Sequence, residues 1–248
     1  TGTVKSNERT PGGYELDVTS LRIYQIADEY PITPKEHGDA FLIENRHLWL
    51  RSSRQHAIMR VRSVIVKAIR DFLDNSGFRL MDSPILTPNA CEGTSTLFET
   101  KYFDLGNAYL SQSGQLYAEA SAMALGRTYT FGPTFRAEKS KTRKHLTEFW
   151  MVEPEAAFFD LEDDMQLAED MTVYIVKQVL ANCEKELATL ERDTEPLKKI
   201  VGRFPRMSYT EAVAWLQENK VPLIQKVDGV DKEIHPFPWG EDFGTVQE

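Results

Sequence analysis

The fold of this chain depends most on residues 131–159, which read FGPTFRAE, then KSKTRKH, then LTEFWMVEPEAAFF. Two apolar runs around a charged segment predict an antiparallel hairpin with a long, charged tip. Arg136 and Glu138 are two residues apart, which would place both side chains on one side of the first strand. Glu153 and Glu155 have the same spacing on the second strand. Charges on one face of such hydrophobic strands indicate a ligand cleft rather than a solvated edge.

The composition is that of a folded protein. The 248 residues are 41% hydrophobic and 10% aromatic, which argues against global disorder and allows one large domain, alone or with a small one. No apolar run approaches the roughly 18 residues of a membrane span, so no membrane partner is expected. The first residues, TGTVKSNE, contain no hydrophobic signal core. Cys91 and Cys183 lie far apart without metal-ligand spacing, so a reducing, cytoplasmic setting is the simplest expectation.

The net charge of −9 argues against a protein coated in basic charge for non-specific nucleic-acid binding, although it does not exclude a local basic groove. The tip of the predicted hairpin is a local basic cluster. Its members are Lys139, Lys141, Arg143, Lys144 and His145. Charge alone leaves open whether this cluster is a solvated loop or a site for anions.

The N-terminal region alternates as strands do over Tyr14–Val18 and Leu21–Ile26, after a turn signal at Gly12-Gly13. Two or three strands cannot form an independent core. Residues 1–28 are therefore expected to be a fragment or an appendage of a β-domain. Residues 29–53 are rich in proline and charge, which predicts a linker.

The clearest helix is predicted over residues 54–76, with Ser52 or Ser53 as its cap and Gly77 as its end. Its apolar stripe is wider than one face. Such a helix lies deep in a core or packs against a second subunit, and the sequence alone favours the core.

Further elements are predicted from periodicity and capping signals. The helices are Gln115–Leu125 with a stop at Gly126, about 161–190 with Asp160 as cap, and a short helix to about Asn219 opened by the capping box of Ser208 and Glu211. A short strand is expected at Leu110–Gln112. Residues 229–248 are expected to be irregular.

Three motifs accompany the hairpin: Ser83-Pro84 after the first helix, CEGTSTLFET at 91–100, and SGQLYAEA at 113–120. In this order they make the chain resemble the class II aminoacyl-tRNA synthetases. The helix with Ser83-Pro84 resembles motif 1 of that class, and the FRAE hairpin resembles motif 2. Within the class the resemblance is closest to the asparaginyl-tRNA synthetases of the bacterial type, and it covers essentially the whole chain.

The resemblance implies an α+β chain with the class II catalytic fold over residues 54–248, an antiparallel sheet flanked by helices. Residues 1–28 would be the last strands of an N-terminal OB-fold anticodon-binding domain, and residues 29–53 the linker. A homodimer that uses the motif 1 helix is also implied, which favours a subunit contact for that helix. The expected interface residues are Ile58, Val61, Ile65 and Pro84.

The implied activity is ATP-dependent attachment of asparagine to tRNA(Asn) through an asparaginyl-adenylate, with Mg²⁺ accompanying ATP. Two anions meet in this reaction, so the planar fork of Arg136 is expected to hold both, and its loss would cost about 3–4 kcal/mol of transition-state stabilisation. The resemblance assigns ATP contacts to Arg136, Glu138, Arg143, Lys144, His145 and Phe149. It assigns asparagine contacts to Glu92, Ser113, Gln115, Glu119, Arg136 and Glu153, and metal contacts to Glu155 and Glu248.

Selectivity for asparagine is expected at the start of the second helix. The aspartate-specific relatives carry a lysine three residues after the glutamine that matches Gln115. Here that position is Ala118, and Glu119 follows on the same helix face as Gln115. A substrate carboxylate would lose its cation and be repelled by Glu119, whereas a carboxamide could donate its NH₂ to that carboxylate.

The third motif of the family, a glycine-rich strand and a helix ending in an ATP-binding arginine, should follow Glu248. The sequence is therefore expected to be a piece of a synthetase. Two alternatives stay open: a paralogue of the same fold that makes asparagine from the adenylate and ammonia, and a non-catalytic fragment for dimerisation or tRNA binding. Strands within residues 1–28 count against the first alternative, and the missing third motif favours the second.

Overall fold

The computed structural model describes residues 1–10, 12–91, 93, 97–139, 145–200, 202–227, 230–244 and 247. It divides into two compact units, Thr1–Arg62 with Lys185–Arg192, and Ser63–Glu184 with Asp193–Glu248. The elements in chain order are β1 (Gly2–Ser6), β2 (Tyr14–Val18), α1 (Asp39–Glu44), α2 (Arg46–Trp49), α3 (Ser53–Asn75), β3 (Arg79–Leu80), β4 (Leu86–Thr87), β5 (Glu99–Lys101), β6 (Asn107–Leu110), α4 (Gln115–Leu125), β7 (Arg127–Phe135), β8 (Glu148–Ala156), α5 (Leu161–Asn182), α6 (Glu184–Thr189), α7 (Glu195–Lys198), α8 (Tyr209–Glu218), β9 (Leu223–Val227) and β10 (Val230–Ile234). No helix among the described residues is long and apolar enough to cross a membrane.

The first unit contains a two-stranded antiparallel sheet of β1 and β2, in which Val4 pairs with Leu16. The turn at Gly12-Gly13 is confirmed, since both residues have the positive φ angles that glycine tolerates. The strand expected at residues 21–26 is wrong, because the described backbone there forms no strand. The turn folds the chain back on itself, so β2 pairs with β1, which precedes the turn. It does not pair with residues 21–26, which follow β2. Helices α1 and α2 lie within the stretch predicted as a linker.

The helix predicted over residues 54–76 is α3. Ser52 Oγ accepts a hydrogen bond from the backbone N–H of Gln55 at 3.4 Å, and Gly77 ends the helix with a φ of 84°. In the second unit, Ile69 and Leu73 are buried. This part of α3 is therefore a core element, as its wide apolar stripe predicts.

The predicted hairpin is confirmed. β7 and β8 pair in antiparallel fashion along their length, with Thr130 opposite Glu153. β3 joins the same sheet parallel to β7, with Leu80 beside Tyr129, so the sheet is mixed and not purely antiparallel as expected. The physical reason is the long connection through α4, because parallel neighbours require a crossover of this kind.

The hydrophobic core of the second unit lies between this sheet, α3 and α5. Its buried residues are Ile69, Leu73, Phe78, Tyr129 and Phe131, and the α5 residues packed against them include Leu167, Met171 and Ile175. Burial raises the pKa of the Tyr129 phenol to about 12, and this hydroxyl donates a hydrogen bond to Asp74 Oδ1 at 3.0 Å. The hairpin is therefore fixed to α3 by packing and by one polar contact.

Helix α5 begins as predicted, since the Asp160 carboxylate accepts hydrogen bonds from the N–H groups of Glu162 and Asp163. Its predicted continuation to residue 190 is wrong. The helix ends at Asn182, and the buried Cys183 leaves the helical conformation before α6 begins. The periodic pattern continues across this break, which is why the pattern alone predicts one helix.

A second sheet has the order β4-β6-β5. The strand expected at Leu110–Gln112 ends at Leu110, because the next residues turn toward the hairpin: Ser111 O accepts a hydrogen bond from Phe135 N at 2.9 Å. Helix α4 then follows with the predicted bounds and ends at Gly126, whose φ is 80°. The segment between β6 and α4 is thereby attached to the end of β7.

The end of the chain is more regular than expected. The Ser208–Glu211 capping box is confirmed at α8, and β9 and β10 form an antiparallel pair with Ile234 opposite Leu223. Phe237 is fully buried against a cluster that includes Val213 of α8. This pairing depends on packing against α8, so local periodicity did not indicate it.

Candidate active site

The end of the hairpin brings an arginine and an aromatic ring together. Arg136 follows the last residue of β7, and its backbone N–H donates a hydrogen bond to the backbone oxygen of Thr147 at 3.0 Å. Its guanidinium carbon lies 5.9 Å from the centroid of the Phe149 ring. β7 ends at Phe135, so Arg136 and Glu138 lie just beyond the strand, and the expectation that both face one side stays a prediction.

Glu153 on β8 accepts hydrogen bonds from three donors on neighbouring segments. These are Ser113 Oγ, the backbone N–H of Gly114 at 3.0 Å and Thr130 Oγ1 at 3.0 Å. Charged acceptors with several donors make stronger hydrogen bonds than neutral pairs. Glu153 therefore fixes the start of α4 against the hairpin, which sets the position of the helix residues that follow.

Gly114 is required at the start of α4 by space and not by backbone conformation. Its φ is an ordinary −83°, yet a Cβ atom there would lie 2.8 Å from Thr130 Cβ. Real Cβ atoms do not approach each other so closely. Any larger residue would push α4 away from β7 and disturb the three hydrogen bonds to Glu153.

Gln115 and Glu119 share a face of α4, as predicted. Gln115 Nε2 donates a hydrogen bond to Glu119 Oε1 at 3.0 Å, and both residues are exposed. Cys91 adjoins this pair, since its Sγ lies 3.7 Å from Gln115 Oε1 and its N–H donates to Gln112 Oε1 at 3.1 Å. Cys91, the first residue of the CEGTST segment, thus attaches that segment to the start of α4.

The position that the aspartate-specific relatives fill with lysine is interior in this chain. The Ala118 side chain is fully buried, while Glu119 beside it is exposed. The difference arises because successive helix residues point about 100° apart. A cation at position 118 would therefore have to reach out of the core to meet a ligand.

Glu155 lines a cavity of about 520 Å³ between α4 and β8, together with Glu119. The other lining residues are Leu116, Ala120, Ala122, Met123, Ala156 and Ala157. Burial raises the pKa of the Glu155 carboxyl, and the nearby charges of Glu119, Glu153 and Asp164 raise it further. Glu155, one of the two residues expected to bind metal, is half-buried. Among the described residues, no three or more histidine, cysteine, aspartate or glutamate side chains form a group that could hold a metal ion.

Several expected site residues lie elsewhere. Glu138 and His145 are exposed beyond the strand ends. Glu92, Arg143, Lys144 and Glu248 lie outside the described residues. The structure therefore brings together Arg136 with Phe149, Ser113 with Glu153, and Gln115 with Glu119.

The residues expected at a subunit interface differ in exposure. Ile58 is 36% exposed, Pro84 is exposed and Val61 is half-buried. Ile65 instead packs against the core cluster of the second unit. Ile58 and Pro84 are therefore the side chains of this set that a second subunit could reach most readily.

The sequence did not indicate three residues that order the site, two of which contact Glu153. Gln112 is 2% exposed, and Gly114 and Thr130 both donate to Glu153. The hairpin register places Thr130 directly opposite Glu153, so a buried threonine facing a half-buried glutamate is the signal that could have found it. For Gly114 and Gln112 the signal lies only in tertiary contacts.

A family model for tRNA synthetases class II (D, K and N) matches residues 39–242. The chain belongs to this family. Asparagine–tRNA ligases from Symbiobacterium thermophilum and Sorangium cellulosum are 57% and 58% identical to it over 247 and 248 residues. Each alignment covers 100% of this chain and 55% of the relative, so this class II synthetase chain spans about half the length of these curated relatives.

Solved structures agree with this family. Asparaginyl-tRNA synthetase from Pyrococcus horikoshii, complexed with asparaginyl-adenylate, matches with a TM-score of 0.87 and 41% identity. The match covers 100% of this chain and 54% of that chain. The class II synthetase catalytic fold, with mixed α and β structure, is thereby confirmed. The origin of residues 1–28 in an OB-fold stays a prediction.

Proposed function

We propose that this class II synthetase chain serves the ATP-dependent attachment of asparagine to tRNA(Asn) through an asparaginyl-adenylate. The observation that carries the proposal is the 3.0 Å hydrogen bond from Gln115 Nε2 to Glu119 Oε1. Its donor is a side-chain carboxamide, the group that distinguishes asparagine from aspartate. Glu119 therefore offers the acceptor that a substrate carboxamide needs.

Aspartate is disfavoured at the same place. A substrate carboxylate has no N–H to donate to Glu119 and carries the same charge. Among the described residues, no cationic side chain lines the cavity that Glu119 borders. Ala118, the position of the lysine in aspartate-specific relatives, supplies no charge either. The identity of 57% and 58% to two asparagine–tRNA ligases supports the same specificity.

The activation step is assigned to the hairpin. Arg136 is proposed to hold the asparagine carboxylate and the α-phosphate, while Phe149 stacks on adenine beside it. The guanidinium carbon of Arg136 lies 5.9 Å from the centroid of the Phe149 ring, which supports binding of the anions and of adenine at the same end of the hairpin. Glu138, Arg143, Lys144 and His145 are proposed to contact adenine and the triphosphate. Neutralising and aligning two anions is the main catalytic contribution that such residues make.

Mg²⁺ is proposed to arrive with ATP. Carboxylate oxygens suit this hard cation, and Glu155 and Glu248 are the proposed protein ligands. Among the described residues Glu155 does not belong to a group of three or more potential ligands. The phosphates and water would therefore supply most of the coordination, as is usual for Mg²⁺ with nucleotides.

The remaining parts of the proposal concern partners. We assign tRNA(Asn) as the acceptor, a homodimer with Ile58, Val61, Ile65 and Pro84 at its interface, and an OB-fold anticodon-binding origin for residues 1–28. The antiparallel pairing of β1 and β2 is compatible with that origin. We also propose a cytoplasmic setting, which is the simplest reading of two cysteines, Cys91 and Cys183, that lie far apart in the sequence without metal-ligand spacing.

Non-hydrolysable analogues of asparaginyl- and aspartyl-adenylate test the specificity. The asparaginyl analogue is expected to bind the chain more tightly, and Glu119→Ala is expected to reduce this preference about tenfold through loss of a charged hydrogen bond. Glu148→Ala, which removes an exposed carboxylate from the far end of β8, is the control. No preference in the unaltered chain, or an unchanged preference in Glu119→Ala, would contradict the proposal. Ala118→Lys is a poor substitute, because it forces a charge into a fully buried position.

Exchange of pyrophosphate into ATP then tests catalysis. Exchange that depends on asparagine supports adenylate formation, and binding of the analogue without exchange supports the alternative of a non-catalytic fragment. Where exchange occurs, supplying tRNA(Asn) or ammonia identifies the acceptor. Consumption of ammonia would support the asparagine-forming paralogue instead.

A further inference from the structure

The charges of this acidic chain are unevenly distributed along its sequence. The whole chain carries 38 aspartates and glutamates against 29 lysines and arginines, yet residues 45–70 contain no carboxylate side chain. The basic residues of this stretch are Arg46, Arg51, Arg54, Arg60, Arg62, Lys67 and Arg70. Such a concentration of one charge provides a local surface that attracts a negatively charged partner.

The basic residues in the later part of the stretch are engaged within the chain. Arg60 pairs with Glu186 at 2.6 Å, and Lys67 pairs with Asp71 at 2.7 Å. Arg70 is half-buried in the second unit. These three charges are therefore less available to a partner than an exposed arginine without an acidic neighbour.

Three exposed arginines lie close together at the start of the stretch, in the first unit. Arg46 begins α2, Arg51 lies between α2 and α3, and Arg54 is the second residue of α3. None of them forms an ion pair with another residue that the structure describes. Arg62 is also exposed, but it lies beyond Ile58, the residue assigned to subunit contact. We call Arg46, Arg51 and Arg54 the arginine surface.

We propose that the arginine surface binds the phosphate backbone of the tRNA. The inference rests on the proposed function, which supplies tRNA(Asn) as the acceptor. Charge complementarity favours this occupant, because every nucleotide of an RNA strand carries a negative phosphate. The guanidinium group holds a phosphate through two parallel N–H groups, and the surface consists of arginine alone. An acidic face of a second copy is the competing occupant.

Binding of a tRNA(Asn) transcript over a series of salt concentrations tests the inference. Arg46→Gln, Arg51→Gln and Arg54→Gln are each expected to reduce the slope of log K against log salt by about 0.7–0.9. At about 0.1 M salt, this corresponds to roughly five- to eightfold weaker binding. The loss should be the same for a tRNA of another amino acid, because phosphate contacts carry no sequence information.

Arg192→Gln is the matched control. Arg192 is exposed between Glu191 and Asp193 and lies outside the stretch without carboxylates, so its loss should change neither the affinity nor the slope. The affinity for the asparaginyl-adenylate analogue should be equal in all variants, because the arginine surface belongs neither to the core nor to the candidate active site.

A slope that stays unchanged in all three variants, while the unaltered chain binds tRNA, contradicts the inference alone. An equal loss in Arg192→Gln would show a general effect of net charge, and a loss confined to tRNA(Asn) would indicate base contacts; either result overturns the assignment. Weaker self-association of the variants in sedimentation equilibrium, with unchanged tRNA affinity, would assign the arginines to a second copy. An unaltered chain that binds no tRNA contradicts the proposed tRNA partner itself, and the inference is then withdrawn with it.

Discussion

Buried polar residues carry most of the information about this site. Ser113, Gly114 and Thr130 surround the Glu153 carboxylate, and all three are buried. Glu153 itself is half-buried, and a carboxylate withdrawn from water needs hydrogen-bond donors. The same three contacts join the segment before α4, β7 and β8, so the polar network both stabilises the fold and places Gln115 and Glu119.

Glu155 differs from Glu153 because its charge is opposed rather than satisfied. Its pKa is raised above the ordinary value of 4.5 by burial first and by Glu119, Glu153 and Asp164 next. Between the ordinary value and the raised one, the folded chain binds more protons than the unfolded chain. Stability therefore falls as the pH rises through that interval, and at neutral pH the ionised Glu155 weakens the fold.

We accordingly predict that Glu155→Gln melts at a higher temperature than the unaltered chain at pH 7. The advantage should disappear below about pH 4.5, where the carboxyl is protonated in both states. Circular dichroism melts over a pH series measure this difference. Glu148→Gln serves as the control, and a lower melting temperature for Glu155→Gln at pH 7 would contradict the prediction.

At the scale of elements, α5 shows how a local signal controls a long helix that carries part of the core. Asp160 accepts hydrogen bonds from the N–H groups of Glu162 and Asp163, and Met171 and Ile175 further along pack against the sheet. Unsatisfied N–H groups at a helix start are costly. The cap therefore supports packing that lies several turns away.

Asp160→Ala is predicted to lower the free energy of unfolding by about 1 kcal/mol, the usual cost of losing an N-cap side chain. For a chain of this size that corresponds to roughly 2–4 °C in melting temperature. Thermal unfolding followed by circular dichroism measures the change. Glu162→Ala removes one carboxylate from the same helix end without removing the cap, so an equal loss in both variants would show that charge and not capping is responsible.

Helices α4 and α8 could be predicted well because their signals are local. Apolar spacing and Gly126 fix α4 to the residue, and Ser208 with Glu211 fixes the start of α8. The β9–β10 pair and the parallel contact of β3 with β7 could not be predicted, since strand partners are chosen by contacts distant in sequence. The break at Cys183 has no local signal in the sequence.

The residues of the candidate site likewise fall into those that local motifs predict and those that only tertiary contacts reveal. Arg136 and Gln115 belong to short motifs, so the resemblance predicts them as site residues from the sequence alone. Gln112, Gly114 and Thr130 act only through the contact of α4 with the hairpin, so they became visible with the structure. The burial of Ala118 also had to be observed, because it depends on how α4 is turned against β7.

At the scale of the whole molecule, the candidate site is formed by two segments, the hairpin and α4, which both belong to the class II synthetase match. The family model spans residues 39–242 and includes both the hairpin and α4. The chain spans about 55% of the length of the relatives from Symbiobacterium thermophilum and Sorangium cellulosum. The described residues of the candidate site, Arg136 on the hairpin and Gln115 with Glu119 on α4, therefore all lie within the part of the chain that matches the family.

Subunit association is the remaining property that belongs to the molecule as a whole, and Ile58 offers the cleanest test. It is 36% exposed on α3, whereas Ile65 packs against the core, so a charge at position 65 would unfold the chain before it could report on an interface. Ile58→Glu is predicted to weaken a homodimer at least tenfold, since a buried unpaired charge at an interface costs more than about 1 kcal/mol. Sedimentation equilibrium over a concentration series measures the dissociation constant. Met123→Glu, at a side chain that is 83% exposed on α4, should leave the constant unchanged. Equal constants for Ile58→Glu and the unaltered chain would place any dimer contact elsewhere, because an interface that includes Ile58 cannot accept the charge without loss.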